Sequence, residues 1–238
     1  MELTPPSTDV LRTGDLEVLG RMPWSSNGTF LGCVHGDDAD VEVIYKPRRG
    51  ERPLWDFPTG TLCAREVASF ELSEALGWSI VPDTVLRDGP LGVGSVQRFV
   101  DHDPEEHYFT LLEEHADEFR RFAVFDVLAN NADRKSGHCL RARGGRHVWG
   151  IDHGLTFHPG EKLRTVIWDF AGEKLTREAC DAVTSVRVAL DGGLGRRLAD
   201  LLSPYEVDAL ASRAEQLLRA GRLPEPEPGY HSVPWPLV

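Results

Sequence analysis

The stretch NNADRKSGHCL, Asn130 to Leu140, decides how this chain is read. A helical pattern precedes it, with Phe119, Phe122, Ala123 and Val127 recurring at three and four from Asp117 to Ala129, and a short strand follows it. Asp133 is therefore expected on a loop held between two rigid elements. Nineteen residues later the strand HVWGI delivers Asp152 in the tripeptide Asp-His-Gly. Two loop carboxylates at the ends of regular elements suit a division of labour between a base that positions a hydroxyl and a metal ligand. Phosphoryl transfer needs both, together with a strand lysine for nucleotide phosphates and a helix carboxylate to orient that lysine. Lys46 ends the strand VEVIYK, and Glu66 lies in the first helix after it, so the four roles occur in the expected order.

Upstream of this stretch the chain reads as strands with one helix. Strands are expected over Asp15 to Met22, Thr29 to His35, Val41 to Tyr45, Ile80 to Leu86 and Gly92 to Phe99. The helix should run from Thr61 to Leu76 and stop at Gly77. Beyond Asp101 the pattern turns helical, with helices expected near Glu105 and over Asp117 to Ala129, Thr176 to Leu190, Gly195 to Leu202 and Pro204 to Ala220. Two short strands should flank the turn from Arg141 to Arg146. The expected fold class is α+β: a single two-lobed domain with a β-rich N-lobe over 15–100, a mostly helical C-lobe over 101–222, and a Pro-rich tail over 223–238 that is either an extended strap or partly disordered. The site is expected between the lobes.

With those residues in view, the chain resembles the atypical kinases of the phosphatidylinositol 3-/4-kinase-like superfamily, which includes HipA-type and Fam20-type members. The resemblance rests on Asp-Val-Leu-Ala-Asn-Asn-Ala-Asp-Arg (Asp126 to Arg134) followed by Gly-Ile-Asp-His-Gly (Gly150 to Gly154). It also resembles a small bacterial family labelled phosphatidylinositol-kinase-like, a label that conveys fold more than substrate. The resemblance implies a two-lobed protein-kinase-like fold that uses ATP with Mg²⁺ or Mn²⁺. It implies Asp133 as the catalytic residue, Asp152 as a metal ligand, Lys46 as the phosphate lysine and Glu66 as its partner. The turn Ser25, Ser26, Asn27, Gly28 and Thr29 would cover the phosphates with its backbone N–H groups. Gln97 to Asp101, including Phe99, would be the hinge that reads adenine. His138 stands where these families carry a metal-binding Asn, which makes it the candidate second ligand.

Each of these residues also has a plainer reading. Asp133 beside Arg134 could form a surface ion pair, and Asp152 could merely close a turn. Lys46 before Pro47 could guard an edge strand, and Glu66 could be one of several solvated helix acids. Ser25 to Gly28 is ordinary turn chemistry.

Composition narrows the function classes. The 238 residues carry 38 acidic and 26 basic side chains, a formal charge of −12, which argues against a general nucleic-acid binder. Only four of the basic residues are lysines: Lys46, Lys135, Lys162 and Lys174. No run of about 18 apolar residues suggests a membrane span, and Met1 to Val10 lacks signal-peptide character, so a cytoplasmic protein is expected. The same acidity opposes docking on anionic lipid. The expected acceptor is a hydroxyl of a protein or a small polar molecule. Cys33, Cys63, Cys139 and Cys180 form no C-x-x-C pair, which argues against a disulfide framework or a cysteine zinc site. Two other function classes stay open. One is a nucleotide-binding scaffold without turnover. The other is a metal-dependent hydrolase built on His138, His147, His153 and His158, whose spacing does not match a helical zinc motif.

Overall fold

The computed structural model describes residues 8–23, 25, 27–37, 39–227 and 231–237. Its architecture is α+β, with an antiparallel sheet first and helices after it. A short helix α1 (Thr8–Thr13) precedes β1 (Asp15–Arg21), β2 (Phe30–His35) and β3 (Asp40–Pro47). Helix α2 (Leu62–Leu76) follows, then β4 (Thr84–Arg87) and β5 (Gly94–Arg98). The five strands align in the order β1-β2-β3-β5-β4, every neighbour antiparallel. Strand alternation puts Val41, Val43 and Tyr45 of β3 into the core formed with α1, while Ile44 and Lys46 face the other way. β3 has partners on both sides, so Lys46 is not an edge-strand guard.

The sequence reading needs three corrections here. Helix α1 was not expected, yet Leu11 on it is fully buried against the sheet. The strand expected from Ile80 begins only at Thr84. Residues 80–83 run as a turn because Val81 N–H is taken by the Ser73 hydroxyl of α2, at 3.0 Å, instead of by a strand. The strand expected over Gly92 to Phe99 is confined to Gly94–Arg98, since Gly92 at φ +94° closes a turn with Gly89.

Helix α2 is buried on nearly every face. A helix of that kind lies inside a protein, and α2 is sandwiched between β4 and β5 on one side and the later helices on the other. It ends at Gly77, whose φ of +70° is the left-handed conformation that only glycine adopts freely. Its Arg65, almost fully buried, is ion-paired with Glu206 at the far end of the chain.

The helical part begins with α3 (Tyr108–Leu111) and α4 (Ala116–Ala129). β6 (Cys139–Arg141) and β7 (Val148–Gly150) make a small hairpin, and α5 (Arg177–Leu190), α6 (Gly193–Ala199) and α7 (Pro204–Ala220) complete the element order. α4 supplies Phe119, Phe122, Phe125 and Leu128 to the main core, with Phe119 set edge-on to Tyr108 and Phe122. Asn130 caps α4 at φ +49° and donates to His158 O (2.8 Å) and Gly160 O (2.7 Å) while accepting from Lys162 N–H (3.0 Å). The described part of the tail forms a strap: Ser232 O accepts from Thr165 N–H and Trp168 Nε1–H, and Leu237 O accepts from Ser136 N–H at 2.8 Å.

Under the loop after α4 lies an ion pair with no exposed surface on either partner. Arg134 Nη2 is 2.9 Å from Asp126 Oδ1 and Nε is 3.1 Å from Oδ2. Asp126 also accepts from Asn131 Nδ2 (2.9 Å) and Thr165 Oγ1 (3.2 Å), so both of its oxygens are satisfied. The guanidinium reaches onward to His138 O (3.3 Å), Ile151 O (3.4 Å) and His153 Nε2 (2.7 Å), with its face over Phe122. Breaking one partner of such a pair strands a buried charge, at a cost of about 3–5 kcal/mol. Asp126→Ala should lower the unfolding free energy measured in urea by that much, with a correspondingly lower midpoint, and adding Arg134→Met should recover part of the loss. A midpoint equal to wild type in Asp126→Ala would contradict the role given to this pair.

Candidate active site

Three of the residues singled out in the sequence meet at one point. Lys46 Nζ, projected from the end of β3, is ion-paired with Glu66 Oε1 on α2 and lies 3.0 Å from Asp152 Oδ1, just beyond β7. Glu66 is buried, so it is not a solvated helix acid, and its Oε2 accepts from His153 N–H at 3.0 Å. Both oxygens of Glu66 are thus engaged, which fixes its carboxylate and through it the lysine. Asp152 does turn the chain, at φ +58°, but its side chain is half exposed and faces the lysine.

Electrostatics sharpen this arrangement. Burial acts to lower the Lys46 ammonium, but the carboxylates of Asp152 and Glu66 outweigh it and hold it above its ordinary value. The same ammonium, against the opposing effect of burial, holds Asp152 well below the usual carboxylate range. Asp152 is a carboxylate at any physiological pH.

His138 closes the far side of Asp152, with Nε2 3.4 Å from Oδ2. Its Nδ1 accepts from the Lys135 backbone N–H at 3.4 Å, so the ring proton belongs on Nε2, the nitrogen nearer Asp152. Burial pushes its pKa down to about 4, which keeps the ring neutral at physiological pH.

Asp133 sits on the same loop, turned outward where its neighbour Arg134 turns in. Its partner is Lys135 (Nζ to Oδ2, 3.4 Å), while Arg134 pairs with Asp126, so the expected Asp133–Arg134 surface pair does not form. Its backbone N–H is held by Asn131 Oδ1 at 3.0 Å. Burial lifts the Asp133 carboxyl to about 6, opposed by Lys135 and Arg164 and reinforced by the charge of Asp152. A carboxylate with that affinity for protons is suited to take one from a hydroxyl.

The remaining candidates are spread around this centre. Ser26 lies outside the described residues. In the rest of the turn, Ser25 Oγ is 2.6 Å from Thr29 Oγ1, and Asn27 Oδ1 accepts from Arg52 N–H. Gly28 N–H donates to Gly50 O (2.8 Å) and Thr29 N–H to Asn27 O (2.9 Å). These two donors are spent inside the protein, so the expected nest of backbone N–H groups is not formed by them. Gln97 is buried, with Nε2 donating to Thr84 Oγ1 across the sheet, and Phe99 N–H donates to Glu42 O. Lys162 is paired with Asp56 and lies over the Trp55 ring.

The histidines do not gather as a hydrolase would need. His147 bonds to Ser79 O, His158 to Gly160 O, and His153 is buried against Arg134. Among the described residues, none of these four belongs to a group of three donors close enough to hold a metal.

The sequence assigns Asp126 no role beyond the motif it opens and offers His153 only as a metal ligand, whereas the fold makes them the partner of Arg134 and the second anchor of Glu66. The Asp-Arg dipeptide drew attention to the wrong carboxylate, and the partner of Arg134 eight residues earlier is marked only by being an acid on the buried side of α4. Nothing in the sequence marks His153 N–H as the second anchor of Glu66.

No protein-family model matches the chain. Among solved structures it is similar to the proinflammatory kinase CtkA of Helicobacter pylori, with a TM-score of 0.48 at 11% identity, covering 90% of this chain and 94% of that one. It is also similar to the open conformation of CtTel1, with a TM-score of 0.39 at 14% identity over 81% of this chain and 11% of that one. Among the described residues no helix is long and apolar enough to cross a membrane. In sequence it is 40% identical to Protein Rv2133c of Mycobacterium tuberculosis, over 99% of this chain and 97% of that protein. The chain therefore belongs to the family of Protein Rv2133c.

Proposed function

We propose that this protein is an ATP-dependent phosphotransferase of the kinase type, acting on a hydroxyl of a protein or small polar acceptor. The observation that carries this reading is Lys46, shared between a buried, fully anchored Glu66 and a half-exposed Asp152. A strand lysine fixed by a helix carboxylate is what holding nucleotide phosphates requires. It is costly to build for any purely structural end.

The donor set fits one hard cation. Asp152 is ionised and half open, and an oxygen ligand of that kind suits Mg²⁺ or Mn²⁺ with phosphates and water completing the shell. His138 turns a protonated nitrogen towards Asp152, so as arranged here it is not a ligand. To ligate, it would have to move its proton to Nδ1 and give up the Lys135 contact. ATP with its cation would supply the transferable phosphoryl group and the neutralising charge. Lys46 would hold phosphate oxygens, Glu66 would keep Lys46 in place, and Asp133 would accept the proton of the acceptor hydroxyl at a carboxylate oxygen. The adenine is assigned to the hinge from Gln97 to Asp101, and the lobes to 15–100 and 101–222.

Calorimetric titration of ATP with Mg²⁺ or Mn²⁺ tests the reading, with binding expected and its metal-dependent part lost in Asp152→Ala. No heat and no thermal shift at millimolar ATP would remove both the enzyme and the scaffold, whereas binding without transfer to any acceptor would leave the scaffold. Asp133→Asn should keep ATP affinity and lower turnover by about 10²–10⁴. A base must be deprotonated to act, and the Asp133 carboxyl sits at about 6. The kcat/KM for the acceptor should therefore fall as pH drops through about 6 and level off above it. A flat profile from pH 5 to pH 8, or full transfer by Asp133→Asn, would point to a different base.

A further inference from the structure

Metal-binding side chains converge at a second place, outside the cleft. Cys33, His35 and Asp40 bring one donor atom each within 4.8 Å of the others. Strand alternation sets Cys33 and His35 on one face of β2, and the register places Asp40 directly opposite His35. Glu17 of β1 and Glu42 of β3 flank Cys33 on either side. Asp40 shares its face of β3 with Lys46 but lies six residues away, about 20 Å along a strand. This group and the cleft are separate sites.

The orientation of His35 is what raises the group above a chance meeting of polar side chains. Its Nδ1 faces both other donors, 3.0 Å from Asp40 Oδ1 and 3.9 Å from Cys33 Sγ. Its Nε2 faces away from them and lies 3.2 Å from Glu17 Oε2. Metal-bound histidines characteristically give their second N–H to a carboxylate, which leaves the other nitrogen free to ligate. Tetrahedral zinc, with bonds of about 2.0–2.3 Å, spaces its donors by about 3.3–3.6 Å. The His35 Nδ1 distances of 3.0 and 3.9 Å bracket that spacing, and all three donors fall within 4.8 Å. A thiolate, an imidazole and a carboxylate together select a transition ion over Mg²⁺ or Ca²⁺.

We propose that Cys33, His35 and Asp40 form a zinc site on the N-terminal sheet, with Glu17 as the positioning residue for His35. Binding forms Zn–S, Zn–N and Zn–O bonds and releases the Cys33 thiol proton to solvent, while His35 ligates through an Nδ1 that carries no proton and keeps its Nε2–H on Glu17. The fourth position falls to water or to Glu42. The ion would tie β2 to β3 and, through Glu17, to β1. Because the donors converge only in the folded sheet, zinc should raise the melting temperature, with the rise growing as the logarithm of free zinc above the dissociation constant.

The experiment uses the full chain carrying Asp152→Ala, so that the cleft does not compete, without nucleotide. Co²⁺ is titrated as a spectroscopic probe and Zn²⁺ is used to displace it. One equivalent is expected, with a thiolate-to-cobalt charge-transfer band that Zn²⁺ abolishes. Cys33→Ser should remove the band, and His35→Gln and Asp40→Asn should weaken affinity at least tenfold. Glu17→Gln should weaken it by about 10–100-fold without removing the band. Since His35, Asp40 and Glu17 are exposed, those variants keep the test open if Cys33→Ser fails to fold. Absence of the band in the parent chain, its persistence in Cys33→Ser, or equal affinity in the parent and His35→Gln would overturn the proposal.

Discussion

The loop carboxylates of the candidate active site depend on one buried ion pair. Arg134 and Asp126 have no solvent on either side, and a charge pair in that position survives only when every remaining hydrogen-bonding site is filled. Here they are. Asn131 and Thr165 complete the carboxylate, while His138 O, Ile151 O and His153 Nε2 take the guanidinium donors. The consequence is positional: Asp133 immediately precedes the buried arginine, and Asp152 lies between two residues that the arginine holds. One planar, five-donor side chain thus sets the relative placement of both loop carboxylates. Lysine, a point charge with three donors, could not replace it.

The two carboxylates are held in opposite protonation regimes although they share one cleft. Asp152 shares an ammonium with Glu66 and stays ionised, whereas Asp133, partly buried and with a longer contact to Lys135, keeps its proton up to about pH 6. Pairs of acids pushed apart in this way mark sites where one group handles charge and the other handles protons. His138 belongs to the first regime. Its ring is kept neutral by burial and lies beside the ionised carboxylate of Asp152.

Much of this was legible in the sequence because the relevant signals are local. β3 announces itself by alternation, α2 by its length and terminal glycine, and the loop from Asn130 to Gly137 by the collapse of a helical period into polar residues. Chain order then put Lys46, Glu66 and Asp152 in sequence, and the fold brings them to one point. What escaped is long-range. The partner of Arg134, the second anchor of Glu66 and the cluster around His35 each depend on register or packing between distant segments, which no local pattern encodes. Cys33 and His35 look like unrelated residues until β1 and β3 bring Glu17 and Asp40 beside them. The turn at Ser25 to Thr29 is legible only as a turn: its composition suits one, but that Gly28 spends its N–H on Gly50 is set by the path of the chain after β3.

The strap also gives the site a history in time. Ser136, three residues past Asp133, hands its N–H to Leu237, and Thr165, which supports Asp126, hands its own to Ser232. Roughly 100 residues of synthesis separate Ser136 from Leu237, which at ribosomal rates is about 5–20 s. Through that interval the loop has its buried anchor but not its outer one. The nascent chain therefore carries Lys46, Glu66, Asp133 and Asp152 well before it carries the segment that closes over the loop of Asp133.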